Sequence, residues 1–221
     1  MIKAIIPMKG HNERLPRKNL ALLNGVPLFH YLLKTISGTR ANQIIVDTDD
    51  DEIADAVSKH FSDVIISMRP PEFCGDLIGG NQLLSRFVTN KTCNDIFIQS
   101  HVTCPFVKIE SFNKAIEMIE KNESDSIFSV TRITQRVWSE SLEPINHKAF
   151  GATVRTQDLP PLFMENAGFF IFLGSFFLEH NCRNTPNSKM FELTFPETVD
   201  IDFAEDLRLA KAVVQSMETD G

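Results

Sequence analysis

Several things are scarce in this chain, and each absence narrows it. No apolar run approaches the ~20 residues needed to cross a bilayer. Basic residues do not predominate: 22 Lys and Arg stand against 29 Asp and Glu, a formal net charge of -7. A general nucleic-acid binder would normally need a basic face, so the balance of charge argues against that class. Only four cysteines occur, Cys74, Cys93, Cys104 and Cys182, with no C-x-x-C or Cys/His metal spacing. They read as reduced thiols of a cytoplasmic protein. The six histidines form no i, i+4 pair of the kind that holds zinc. Neither a Gly-Lys-Ser/Thr ending nor a G-x-G-x-x-G run is present, which removes the P-loop and the dinucleotide fingerprint. Internal repeats, linkers and low-complexity tracts are missing too. The chain starts at once with a strand-like run, which predicts no signal peptide.

What remains is an ordinary globular composition, 43% hydrophobic and 23% charged over 221 residues, suited to a single domain over 1–221. Strand-like and helix-like runs alternate. Ile2–Ile6 precedes a helix at Pro27–Ile36, Gln43–Val46 one at Asp51–Phe61, and Asp63–Ser67 one at Asn81–Val88. Asp95–Gln99 precedes a helix at Ile109–Glu120, and Ser126–Val130 makes a fifth strand. This alternation predicts an α/β fold: a Rossmann-like, mostly parallel sheet with helices on both faces. Between Arg132 and Glu165 the pattern breaks into short polar segments with Pro144, Pro160 and Pro161, read as an inserted arm at about 132–166 or a β-extension. Ala167–Leu173 reads as a buried strand. The last helix, Ala204 to about Met217, carries Leu207, Ala210 and Val214 on one face.

The most informative stretch is IIPMKGHNERLPRKNL, Ile5–Leu20. A first strand opens into a loop carrying Lys9, Arg14, Arg17 and Lys18 in an otherwise acidic chain. In open α/β sheets, ligands sit beyond the carboxyl ends of the strands, and lysine and arginine grip phosphates through charge-assisted hydrogen bonds. The loop reads either as a triphosphate cradle or as a solvated basic turn. Asp200-Ile201-Asp202 lies just before the last helix. Side chains at i and i+2 of an extended segment share a face, and two such carboxylates suit Mg²⁺, which takes one or two carboxylates together with substrate phosphates. The structural reading makes Asp202 an N-cap with Glu205 at the third helical position. Asp47 to Glu52 reads mainly as the acidic cap of the second helix.

These segments resemble the acylneuraminate (CMP-sialate synthetase-like) cytidylyltransferase family. Leu15, Pro16, Lys18 and Asn19 match the end of that family's N-terminal signature, whereas Lys9 replaces its arginine and His11 and Asn12 replace small residues. Asp200-Ile201-Asp202 is similar to the family's metal-binding Asp-Ile-Asp. Arg69-Pro70 resembles its cytidine-contacting Arg-Pro. Gly79 and Gly80 follow Asp76 where relatives carry hydroxyls. Gln99 starts a segment two residues longer than the family's Gln-Pro-Thr-Ser-Pro, and places His101 within it. Arg155, Gln157, Leu159 and Pro160 resemble an Arg-x-Gln-x-Leu-Pro segment, and Asn166 follows, with Met164 and Glu165 where relatives often have a base.

The resemblance implies a cytoplasmic, Mg²⁺-dependent enzyme that joins CTP to a 2-keto-3-deoxy sugar acid and releases pyrophosphate. Lys18, Asp200 and Asp202 would be catalytic, the two aspartates holding the metal. Lys9, Asn12, Arg14, Lys18, Asn19, Arg69, Asp76 and Gln99 would bind nucleotide, and Gln99, Arg155, Gln157 and Asn166 the sugar. The inserted region would serve as a dimerisation arm of a homodimer, with no nucleic-acid or membrane partner. The alternatives are a metal-dependent glycosyltransferase using a nucleotide sugar and a non-catalytic nucleotide or sugar-acid binding protein.

Overall fold

The computed structural model describes residues 1–219. Among the described residues nine strands and six α-helices follow in this order: β1 (Ile2–Met8), β2 (Leu22–Leu23), β3 (Val26–Pro27), α1 (Leu28–Ser37), β4 (Gln43–Thr48), α2 (Asp51–His60), β5 (Ile65–Met68), α3 (Gly80–Leu84), β6 (Ile96–Gln99), α4 (Ile109–Glu120), β7 (Ser126–Ile133), β8 (Leu162–Leu173), α5 (Gly174–His180), β9 (Lys189–Leu193) and α6 (Ala204–Thr219). Seven strands form one sheet in the order β5-β4-β1-β6-β8-β7-β9, and β2 and β3 pair separately. All neighbours in the large sheet are parallel except where β8 runs against β6 and β7.

Strand β1 is buried on both faces, as expected for a central parallel strand. Ala4, Ile6 and Met8 face Phe29, Leu32 and Leu33 of α1 and Phe112 and Ile116 of α4. Ile5 faces the other way, into a cluster with Phe97, Phe170, Phe172 and the α5 residues Phe176 and Phe177. Helices therefore cover both faces. A third cluster matters most for function. Ala210, Val213 and Val214 of α6 pack on Leu23, Leu28, Val199 and Ile201. This seats the C-terminal helix beside the hairpin that follows the first loop. The backbone N–H of Ile201 donates to the Thr103 carbonyl at 2.8 Å, and full burial of its side chain contributes about 2 kcal/mol. Ile201 thus anchors the aspartates on either side of it.

The fold differs from the sequence reading in places. The helix expected at Asn81–Val88 stops at Leu84, because Arg86 turns away to a buried carboxylate described below. Strand β8 begins at Leu162, five residues before the expected strand. Helix α5 and strand β9 were not anticipated. β9 is a short edge strand, exposed at Lys189, Met190 and Glu192 and buried only at Leu193, so it shows no strong apolar run. In the 132–166 region β7 and β8 continue as a pair as far as Ile133↔Leu162. Between them lie a Trp138↔Pro144 bridge and a short 3₁₀ turn at Thr156–Asp158. Among the described residues no helix is long and apolar enough to cross a membrane.

Candidate active site

A cleft of about 360 Å³ opens over the carboxyl ends of β1, β5 and β6. The first loop supplies Lys9, Asn12, Arg14, Lys18 and Asn19 to its wall. Arg69, Asp76 and Gly80 come from the loop after β5, Gln99, His101 and Thr103 from the end of β6, and Asp200 and Asp202 from the approach to α6. Every nucleotide and metal residue expected from sequence lines this one cavity.

The loop is held by its own polar groups. The Asn19 side chain donates to the Lys9 carbonyl at 2.7 Å. The Gly10 N–H donates to Asp49 Oδ1 at 2.7 Å. A Cβ on Gly10 would overlap the Asp50 side chain, so only glycine lets the loop approach α2 this closely. Asp50 is the N-cap of α2, accepting from the Ile53 N–H at 2.9 Å, as the acidic run predicted.

Opposite charges from the two ends of the chain meet here. Lys18 Nζ lies 2.8 Å from Asp202 Oδ1, and Arg14 NH1 lies 2.7 Å from Asp202 Oδ2. Across the mouth, Lys9 Nζ lies 2.6 Å from Asp76 Oδ1 and holds that carboxyl below its usual range. The N-cap reading of Asp202 is corrected. The backbone N–H groups of Asp202 and Phe203 both donate to Asp206 Oδ2, at 3.0 and 2.8 Å. Asp206 therefore caps α6 and leaves the Asp202 carboxylate free to face the cleft.

Asp200 is in a different condition. Its Oδ1 is buried without a hydrogen-bond partner. Burial, reinforced by the like charge of Asp202, raises its carboxyl above the usual range. A buried, unpartnered carboxylate oxygen is costly and fits a cation that completes it. Two carboxylates beside a loop of lysine and arginine are the hard oxygen donors Mg²⁺ prefers, so Asp200 and Asp202 suit this metal. A second group, His11, Glu13 and Asp76, brings ligand atoms within 4.8 Å of one another at the exposed rim.

Arg69 has less freedom than the sequence implied. Its Nε donates to Asp47 Oδ2 at 2.7 Å and its NH2 to the Asp47 carbonyl at 2.9 Å. Arg86 NH1 also pairs with Asp47, which is fully buried. Arg69 is thus a rigid wall of the cleft, its guanidinium committed to Asp47, and not a free cation. Breaking a buried pair leaves uncompensated charge. Asp47→Asn is expected to lower unfolding stability by about 3–5 kcal/mol, visible as a reduced urea midpoint. An unchanged midpoint would show that the two arginines find other partners.

The residues expected to bind the sugar are not brought together in this chain. Gln99 lines the cleft, but Arg155, Gln157 and Asn166 do not. Arg155 is exposed and pairs with Asp158 at 2.6 Å across the 3₁₀ turn Thr156–Asp158. Asn166 is occupied within the sheet. Its Oδ1 accepts from Ser129 Oγ at 2.5 Å, and its Nδ2 donates to Thr131 Oγ1 at 2.9 Å. It fastens β8 to β7 at the register shift between Phe128 and Val130.

Two residues gain importance from the structure. His101 sits in the cleft wall, and burial, with Arg183 and Lys18 adding to it, lowers its imidazole to about 4. An unfolded histidine titrates near 6.5, so between those values the unfolded chain binds the extra proton. Stability therefore falls as pH drops from about 6.5 towards 4. Raised Asp200 works in the opposite sense, its cost being relieved towards acid. In metal-free buffer His101→Asn is expected to flatten the acid loss by on the order of 1–3 kcal/mol. Parallel stability–pH curves for the two proteins would contradict this. The second residue, Arg183, follows α5 and reaches Gln99; a single arginine in an unpatterned loop gave no sequence signal.

Cations beyond the carboxyl ends of a parallel sheet, answered by two aspartates from the far end of the chain, are the layout of the nucleotidyltransferase class. The chain belongs to the cytidylyltransferase family, whose profile matches residues 3–219. Among curated relatives, N-acylneuraminate cytidylyltransferase A of Danio rerio is 27% identical over 218 residues, 95% of this chain and 50% of that protein. Pseudaminic acid cytidylyltransferase of Campylobacter jejuni is 24% identical over 221 residues, covering 94% of this chain and 93% of that one. The chain therefore spans about half the length of the first of these and nearly all of the second. Among solved structures, a CMP:2-keto-3-deoxy-manno-octonic acid synthetase complexed with CTP superposes with a TM-score of 0.70 at 15% identity, covering 98% of this chain and 99% of that one. At that identity the likeness is one of fold.

Proposed function

We propose that the protein transfers CMP from CTP to the anomeric hydroxyl of a 2-keto-3-deoxy sugar acid of the sialic or pseudaminic type, releasing pyrophosphate. The observation that carries this reading is the convergence of Lys18 and Arg14 on Asp202, with the buried, unpartnered Oδ1 of Asp200 beside them. The names of the relatives support the class of both substrates.

In the free chain the cleft neutralises itself: Lys18 and Arg14 face Asp202, and Lys9 faces Asp76. A triphosphate entering with its cation exchanges these partners. Lys18, Arg14 and Lys9 turn to phosphate oxygens, and Asp200 and Asp202 are the residues that would hold the metal. Mg²⁺, when bound, would orient the triphosphate and offset its charge. The chain's own contribution is positioning, together with ammonium and guanidinium charge set where the departing pyrophosphate becomes more negative. Walls from His101, neutral at physiological pH, and from rigid Arg69 confine the reacting ends.

Pyrophosphate release tests the reaction, with four nucleoside triphosphates screened against N-acetylneuraminate, pseudaminate and 2-keto-3-deoxy-manno-octonate in Mg²⁺. Release restricted to CTP plus one acid supports the reading. Sugar transfer from a CMP-sugar to an acceptor without pyrophosphate would favour a glycosyltransferase, and tight CTP binding without turnover a binding protein.

The proposal extends to a cytoplasmic homodimer joined through the 132–166 arm, where Leu142, Ile145, Phe150 and Met164 are exposed at 78, 55, 92 and 53%. Apolar exposure concentrated in one segment supports an interaction surface there. Leu142→Asp with Phe150→Asp is expected to halve the mass measured by sedimentation. A wild-type monomer would contradict the dimer.

A further inference from the structure

Gln99 is buried, and its side-chain amide is held from behind. Arg183 NH1 donates to Gln99 Oε1 at 2.6 Å. A guanidinium has donors only, so the oxygen of the amide must face it and the NH₂ must face away. Among the described residues the Gln99 NH₂ donates to no protein acceptor, although Gln99 lines the cleft. A pair of donors without a protein partner, on a residue that lines the cleft, points to an acceptor on the ligand.

Arg183 is itself fixed. Its guanidinium lies 3.6 Å from the centroid of the Phe170 ring, a stacking contact that suits arginine and not lysine. The backbone carbonyl of Arg183 accepts from Ser126 Oγ at 2.6 Å. Among the described residues no carboxylate lies within 4 Å of the guanidinium, so its charge is not cancelled by direct pairing; Glu165 acts on it only at longer range. That positive charge is felt at the cleft wall, where it lowers His101. Gly80 makes the approach possible. A Cβ there would stand 2.8 Å from Arg183 NH1 and 3.2 Å from Gln99 Nε2.

We propose that Arg183 is a positioning residue for the acid substrate: it locks the Gln99 amide with its NH₂ turned into the cleft and places an uncancelled positive charge behind it, so that Gln99 binds an anionic oxygen of the sugar acid. This rests on the cytidylyl-transfer reading and deepens it. It supplies the cation that Arg155 does not bring to the cleft within one chain. A flipped amide would set two donors against the guanidinium, so the lock is one-sided.

The test compares wild type with Arg183→Met, which keeps bulk over Phe170 but has no donor, and with Arg183→Lys, which restores donor and charge. Pyrophosphate release is measured with CTP and each of N-acetylneuraminate, pseudaminate and 2-keto-3-deoxy-manno-octonate, and thermal unfolding checks the fold. Arg183→Met is expected to raise KM for the accepted acid tenfold or more, leave KM for CTP within twofold and leave the unfolding midpoint nearly unchanged. Arg183→Lys should recover part of the loss. Gln99→Glu, which removes the donors, should raise KM for the acid as much as Arg183→Met. Equal KM values for the acid in wild type and Arg183→Met, or a parallel rise for acid and CTP, would overturn the proposal. If wild type turns over no acid, the cytidylyl-transfer reading fails. The same proteins are then compared by calorimetry with N-acetylneuraminate. Binding weakened by Arg183→Met keeps the positioning role, and equal or absent binding removes it.

Discussion

Lys18→Ala is expected to lower pyrophosphate release by on the order of 10²–10³ in kcat while the fold survives. Lys18 is mostly buried, with its side chain 12% exposed, and its ammonium sits 2.8 Å from Asp202. Its stem is held by the 3₁₀ turn Lys18–Leu20, which the Arg17 carbonyl closes by accepting from the Leu20 N–H at 3.0 Å. That turn does not depend on the ammonium, so truncation removes charge and little else. A preorganised charge aimed at a departing group counts for more in a confined cleft than in water. Arg14 reaches the same carboxylate but is more than half exposed, and it cannot replace a fixed ammonium. Single-turnover kinetics with saturating CTP separates the effect on chemistry from that on binding. A Lys18→Ala enzyme with wild-type kcat would remove this residue from the reaction.

Asp200→Asn should give opposite signs in two measurements. Asp200 Oδ1 is buried without a partner and its carboxyl is raised mainly by burial. Replacing the carboxyl by an amide removes that burial cost from the metal-free protein and should stabilise the fold by on the order of 1 kcal/mol. The same change removes one of two carboxylates offered to Mg²⁺, so pyrophosphate release should fall 10²-fold or more and the Mg²⁺ requirement should rise. Asp202→Asn should lose activity without the gain in stability, because it strips a partner from Lys18 and Arg14. Destabilisation by Asp200→Asn would mean that the carboxylate is satisfied by a group on the protein, and the case for a cation there would weaken.

Local features of the sequence pointed to much of the cleft's lining. The family resemblance singled out Lys18 and Asn19 in a loop that also read as a solvated basic turn, and i, i+2 alternation put Asp200 and Asp202 on one face. The order of βαβ units was legible because parallel strands and amphipathic helices have distinct periods. Features that depend on distant pairing were hidden. Asp47 belongs to an acidic run that caps α2, and only the stacking of β4 against β5 and α3 shows that it is buried between Arg69 and Arg86. Arg183 reaches Gln99 only because β8 returns antiparallel beside β6 and α5 turns the chain back over Phe170. Asn166 matched a motif, yet the register shift opposite it draws its amide into the sheet. β9 was missed because a half-exposed edge strand lacks the apolar run that marks a central one.

The central claim is that the first loop and the last two acidic side chains hold one nucleotide between them. It is tested most directly by a crystal structure of the protein with CTP and Mn²⁺, read by anomalous scattering. The account predicts a manganese peak bound by both Asp200 and Asp202, with triphosphate oxygens on Lys18 and Arg14. Manganese at His11, Glu13 and Asp76 alone, or CTP bound away from Lys18, would contradict it.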